Sequence, residues 1–196
     1  MRKIRVFAHV SLDGVISTGN EEGDSPYGDW TGPYRTPAGA AALAETQGKS
    51  FDLLLGRRTY DLWSGYWPKI KGGPFADGLN AATKYVATHR PESLEWGPVG
   101  GLGADIPEGI RGIKSKDGPD LIVWGSTTLT PVLFEHGLVD EVVLIVYPVL
   151  LGRGKRFFSD SASPRELAFV TTKATPTGVV LNMYRHVGPL SRPVAN

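Results

Sequence analysis

The chain has 196 residues, 41% hydrophobic and 21% charged, an ordinary globular balance that argues against wholesale disorder. Its formal net charge is +1, so no global field draws it to nucleic acid or anionic lipid, and any anion it binds must be held by local geometry. It contains no cysteine, which removes disulfides, thiolate catalysis and cysteine-ligated zinc, and fits a reducing cytoplasm.

Four further features narrow the class. The histidines, His9, His89, His136 and His186, are far apart and have no metal-ligand spacing. The N-terminal segment has basic residues but no unbroken apolar core of a signal peptide. No apolar stretch approaches the ~20 residues needed to cross a bilayer. The length predicts one domain over residues 1–188, with 189–196 as a frayed tail.

In chain order, Ile4–Val10 is the first predicted strand, closing on a Leu12-Asp13-Gly14 turn. Residues 18–37 are polar and rich in Gly and Pro, as a long functional loop would be. Residues 38–47 predict a helix stopped by Gly48. Phe51–Leu55 predicts a strand, and from Thr59, as N-cap, a helix carries Tyr60, Trp63 and Trp67 at helical spacing.

Lys84–Thr88 reads as a strand. Asp105 reads as the cap of a helix whose apolar face is Ile106, Ile110 and Ile113, a pattern weakened by Gly109 and Gly112. Asp120–Trp124 predicts a strand leading into a helix that ends near His136 and Gly137, with Ser126 or Thr130 as its cap. Glu141–Tyr147 predicts another strand. Two more, near Leu167–Ala174 and Val179–Val187, form a hairpin around Pro176-Thr177-Gly178. Short strands alternating with helices imply an α/β fold, a mostly parallel three-layer sheet with a C-terminal antiparallel hairpin. Ligands of such sheets bind at the carboxyl ends of the strands.

Two segments repeat one design. Phe51-Asp-Leu-Leu-Leu-Gly56-Arg57-Arg58-Thr59 and Leu121-Ile-Val-Trp-Gly125-Ser126-Thr127-Thr128 both run from strand through glycine toward a helix. Such turns present backbone amides to an anion, glycine admits a phosphate closely, and arginine matches its oxygens with a fork. Each turn alone is equally ordinary capping chemistry. Both together point to a ligand with more than one phosphate.

The ordered segments resemble the dihydrofolate-reductase-like family, in particular the branch with the reductase domain of bacterial riboflavin biosynthesis. Four blocks carry the resemblance: Ser11-Leu12-Asp13-Gly14; Gly56-Arg57-Arg58-Thr59-Tyr60; Trp124-Gly125-Ser126; and Gly137-Leu138-Val139-Asp140-Glu141 leading to Pro148-Val149-Leu150-Leu151-Gly152. The resemblance implies NADPH as cofactor and a homodimer; cytoplasmic residence is expected from the composition and the lack of a signal peptide. It places Gly56, Arg57 and Thr59 on phosphates of the adenosine half, with either Arg57 or Arg58 at the 2′-phosphate. It puts Gly125, Ser126 and Thr127 on the pyrophosphate, Thr88 by the adenine, and His9, Val10 and Ile16 by the nicotinamide.

On the substrate side Asp13 is the candidate proton source, set against a plain Asp-Gly turn role. His9 reads as a satisfied, partly buried histidine in preference to an acid or base. Trp30, Tyr60, Trp63 and Trp67 either flank a planar heterocycle or pack in the core. Gly152-Arg153-Gly154-Lys155-Arg156 either holds a phosphorylated substrate or is a solvated loop. Glu45 is the one carboxylate on the helix where a dihydrofolate reductase holds its pterin, and it lies late in that helix. The zinc deaminase signature that accompanies the riboflavin reductase in bifunctional proteins is absent from the sequence. The expected activity is hydride transfer from NADPH to a small heterocyclic or carbonyl substrate, with dihydrofolate reduction or non-catalytic nucleotide binding as rivals.

Overall fold

The first strand sets the plan of the molecule. In Ile4–Ser11 (β1) the side chains of Ile4, Val6 and Ala8 enter one apolar cluster, and Phe7 enters another on the opposite face. A strand buried on both faces needs covering layers above and below, and the remaining sequence supplies them. A computed structural model describes residues 1–16, 27–158 and 162–191.

After β1 come α1 (Pro37–Gln47), β2 (Phe51–Gly56), α2 (Arg57–Ser64), α3 (Pro74–Ala81), β3 (Lys84–Ala87) and β4 (Val99–Gly100). Then follow α4 (Ile106–Ser115), β5 (Asp120–Trp124), α5 (Leu129–Glu135), β6 (Glu141–Tyr147), β7 (Arg165–Ala174) and β8 (Val180–Pro189). The strands form one sheet in the order β4-β3-β2-β5-β1-β6-β8-β7. Pairing is parallel from β4 to β6 and antiparallel at β6–β8 and β8–β7. The α/β class and the terminal hairpin are as the sequence predicts.

On one face Leu54, Leu121, Val123 and Val142 pack with Ile110 and Ile113 of α4 and with Leu129, Leu133 and Phe134 of α5. On the other, Leu53, Leu55, Ile122, Val143 and Ile145 pack with Leu43 of α1, Tyr60 of α2 and Leu79 of α3. The connections from β1 and β5, neighbours in the sheet, therefore leave on opposite faces and toward opposite edges. A switch of this kind marks the ligand-binding end of an open sheet.

Several boundaries differ from the sequence reading. The helix expected to begin at a Thr59 cap begins at Arg57, with Gly56 as a cap that makes no side-chain bond. At α5 the nominal cap, Thr128, makes no capping bond; Ser126 Oγ instead accepts from the Leu129 amide at 3.1 Å, while Thr130 donates to the Gly125 carbonyl. The Asp105 cap is as expected, accepting from the Glu108 amide at 3.0 Å. Helix α3, which follows Gly72-Gly73-Pro74 and contains Gly78, and the two-residue β4, in a Gly- and Pro-rich stretch, are not among the predicted elements. Residues 18–26 of the predicted 18–37 loop lie outside the described residues; the rest holds a single 3₁₀ turn, Gly32–Tyr34, before α1 begins at Pro37. Strand β8 continues to Pro189, and the Leu190 amide bonds the Pro164 carbonyl, so pairing reaches past the predicted start of the tail.

Candidate functional site

The carboxyl ends of β1, β2, β3, β5 and β6 bring the chemistry-bearing residues together. The two glycine bends are in contact. A Cβ built on Gly56 would lie 2.6 Å from Ser126 Oγ, so the second bend occupies the space that any larger residue at the first would need. Gly125 and Ser126 both have positive φ, 59° and 62°. For serine that conformation is uncommon and costs energy, so the surrounding structure must hold it. Among the described residues, no hydrogen bond is made by the amides of Ser126, Thr127 or Thr128. They remain available to an acceptor.

Gly56→Ala is expected to dislodge Ser126 from the Leu129 amide, costing about 1–2 kcal/mol of stability. The thermal midpoint should fall by several degrees. Adding Ser126→Gly should restore it, and differential scanning calorimetry of both variants checks the pair.

One strand over, Arg57 reaches across the β3 tip. Its Nε donates to both carboxylate oxygens of Asp61 at 2.8 and 3.0 Å, and its Nη1 donates to Thr88 Oγ1, the Arg90 carbonyl and Ser93 Oγ. Arg57 and Thr88, expected separately at the phosphates and at the adenine, are thus brought together. Asp61 and Ser93, which hold the guanidinium, were missed, although the i,i+4 spacing of Arg57 and Asp61 was readable. Arg58 is exposed on the first turn of α2, and Thr59 is half-buried beside it. A guanidinium framed by two hydroxyls, beside a glycine with no room for a side chain, suits a phosphate-bearing ligand.

Val10 is buried near the end of β1, and Ile16 packs on the first core beyond a bridge between Val15 and Arg156. Asp13 is placed differently from a proton source. Its Oδ1 accepts from Ser11 Oγ at 2.7 Å and from the Leu151 amide at 3.0 Å, and its Oδ2 accepts from the Gly152 amide at 2.7 Å. The Ser11 hydroxyl and these amides hold its carboxyl down at about 2. It has no proton to give at neutral pH, and its geometry is that of a clamp joining two loops. The cationic 152–156 turn is strapped to the same place, with the Ile16 amide on the Lys155 carbonyl and Arg156 on the Asp13 carbonyl. Glu45 pairs with Lys173 at 2.7 Å and is mostly exposed, so it does not reach the strand tips.

The expected aromatic set divides. Tyr60 is core: its hydroxyl accepts from the Trp96 amide at 2.6 Å, and its ring packs on Trp96. Trp30, Trp63 and Trp67 belong to a larger cluster at the tips of β1, β5 and β6. At its centre Trp124 lies 5.1 Å from Phe7, stacks on His9 at 5.4 Å and meets the rings of Trp63 and Phe75. Tyr147 takes Trp30 and Tyr34 edge-on, and its hydroxyl lies 2.8 Å from His9 Nδ1. Burial and the nearby Arg35 push His9 down to about 4, and burial pushes Tyr147 up to about 12, so both are neutral at physiological pH. Tyr147 and Trp124 close two strands that point at the site, a signal the sequence contained but helical spacing obscured.

Residues 2–181 match the model of the RibD C-terminal domain, and the chain belongs to that family, within the dihydrofolate-reductase-like fold. It is 30% identical over 140 residues to the uncharacterized protein YyaP of Bacillus subtilis, covering 69% of this chain and 74% of that one. A crystal structure from Shewanella sp. PV-4, provisionally assigned to riboflavin biosynthesis, superposes with a TM-score of 0.69 at 23% identity, covering 94% of this chain and 99% of the other. The dihydrofolate reductase of Enterococcus faecalis, complexed with NADP(H), superposes with a TM-score of 0.58 at 16% identity, covering 94% and 96%. Among the described residues no helix is long and apolar enough to cross a membrane.

Proposed function

We propose that the protein is an NADPH-dependent reductase that delivers hydride to a small heterocyclic or carbonyl substrate. The observation that carries this reading is the contact between the two glycine bends, Gly56 against Ser126 at adjacent strand tips. They form one continuous surface for a ligand with two phosphate groups. Membership of the RibD C-terminal family and the likeness to a reductase complexed with NADP(H) support it.

In this reading the amides of Ser126 and Thr127 with Gly125 and Gly56 hold the pyrophosphate. Arg57 or Arg58, with Thr59, meets the adenosine-side phosphates, and Thr88 borders the adenine. Val10 and Ile16 border the nicotinamide. The cofactor, when bound, supplies the hydride. The chain's own work is to orient the reacting ring against the β1 tip and to keep water from it. Asp13, held ionised, positions the loop that carries Ile16 rather than moving a proton. The position of Glu45 disfavours dihydrofolate as the substrate. The proposal includes a cytoplasmic homodimer with no nucleic-acid or membrane partner, and light scattering behind size exclusion checks the dimer.

Titrating the protein with NADPH and following the cofactor's fluorescence is the test. Saturable binding, followed by NADPH consumption with at least one heterocycle or simple carbonyl, is the expected result. Absence of saturable binding ends the reductase reading. Binding without turnover across such a panel leaves only a nucleotide-binding module.

A further inference from the structure

Three buried side-chain atoms lack a hydrogen-bond partner among the described residues: Gln47 Oε1, His186 Nε2 and Trp124 Nε1. Of these only Trp124 stands at the carboxyl ends of the strands, one residue before the Gly125 bend. An indole N–H donates and never accepts, and buried without an acceptor it costs about 1–3 kcal/mol. Trp124 is 5% exposed, yet its N–H is left unused inside an ordered ring cluster. Phenylalanine would fill much of that space without the cost. An orphaned donor kept at such a position is explained if a ligand supplies the acceptor.

The surroundings define that ligand. The rings of Phe7, His9, Trp63 and Phe75 enclose Trp124, and His9 and Tyr147 carry no charge at neutral pH. His9, Trp63 and Phe75 keep part of their surface exposed, so the cluster is not sealed. Among the described residues, the ion pair that acts on His9 and Tyr147, Asp29 with Arg35, is exposed and paired at 2.8 Å. Nothing in the cluster offers a free charge to a carboxylate or a phosphate.

We infer that Trp124 is the specificity-determining donor of the substrate side. Its Nε1–H binds a carbonyl oxygen or ring nitrogen on a flat, uncharged aromatic ligand that enters the cluster from the His9 side. The inference rests on the reductase reading for the identity of the site, and on the orphaned N–H for the contact itself.

Quinoxaline and naphthalene test it, being alike in shape and neutral but differing in two ring nitrogens that accept hydrogen bonds. In the ¹⁵N-labelled protein the Trp124 indole cross-peak, assigned by its loss in Trp124→Phe, should shift with quinoxaline and not with naphthalene. Quinoxaline should bind about tenfold more weakly to Trp124→Phe, and naphthalene within twofold of its affinity for the parent. The variant should keep the circular-dichroism spectrum of the parent, which shows that it is folded. An unmoved cross-peak, or an equal loss for both ligands in the folded variant, would each overturn the inference. NADPH titration of the same samples separates the two readings: normal cofactor binding with no quinoxaline effect sinks only the role of Trp124.

Discussion

Replacing Arg57 and Arg58 together by alanine is expected to weaken NADPH binding about thirtyfold or more, and NADH binding much less. The two cofactors differ by the 2′-phosphate, and a charged hydrogen-bonded contact of that kind contributes about 1.5–3 kcal/mol. The structure sharpens which arginine matters. Arg57 is already oriented by Asp61 and faces Thr88 and Ser93, so little side-chain freedom remains to be lost on binding. Single Arg57→Ala should therefore account for most of the discrimination, and Arg57→Lys should fail to restore it, since an ammonium cannot reproduce the fork. Fluorescence titration with each cofactor checks this. Equal losses for NADPH and NADH would mean that neither guanidinium meets the 2′-phosphate.

The sheet was legible because its signals are local and redundant. Runs such as Leu121-Ile-Val-Trp and Val142-Val-Leu-Ile-Val are apolar on both faces, as a strand sandwiched between helical layers must be. The contact between the two bends was only half legible. Each glycine announces a turn, but their meeting depends on β2 lying beside β5, which is a property of strand order. Gly109 shows the opposite failure. It weakened the helix pattern, yet the helix forms with the Leu102 carbonyl pressed against it, where a Cβ would sit 1.7 Å from that oxygen. Helix propensity is overridden there by packing.

The aromatic cluster escaped because it is assembled across three strands and two helices. Trp63 and Tyr60 share a helix and yet serve different environments, one at the strand tips and one in the core against Trp96. The two roles open to Asp13, proton source or turn residue, could not be separated in the sequence for a related reason: its three partners include amides nearly 140 residues away, and no local pattern reveals them. A carboxylate's role is set by what hydrogen-bonds to it, and those bonds were formed by the fold.

His9 carries the second large effect, in stability against pH. In the unfolded chain its imidazole titrates near 6.5; in the native protein burial against Trp124 and Tyr147, reinforced by Arg35 and opposed by Asp29, lowers it to about 4. Between those values the unfolded state binds a proton that the native state does not, so native stability falls as the pH falls from about 6.5 to about 4. The full shift corresponds to roughly 3 kcal/mol. His9→Gln keeps a polar group within reach of the Tyr147 hydroxyl and removes the titration. The stability difference between parent and variant should therefore shrink, or reverse, by roughly 3 kcal/mol between pH 7 and pH 4. His186 is shifted in the same direction but is present in both proteins and cancels. Urea denaturation at a series of pH values measures it. A pH-independent difference would mean that the imidazole is already solvated, and the strand tips would then have room for a charged ligand rather than a neutral one.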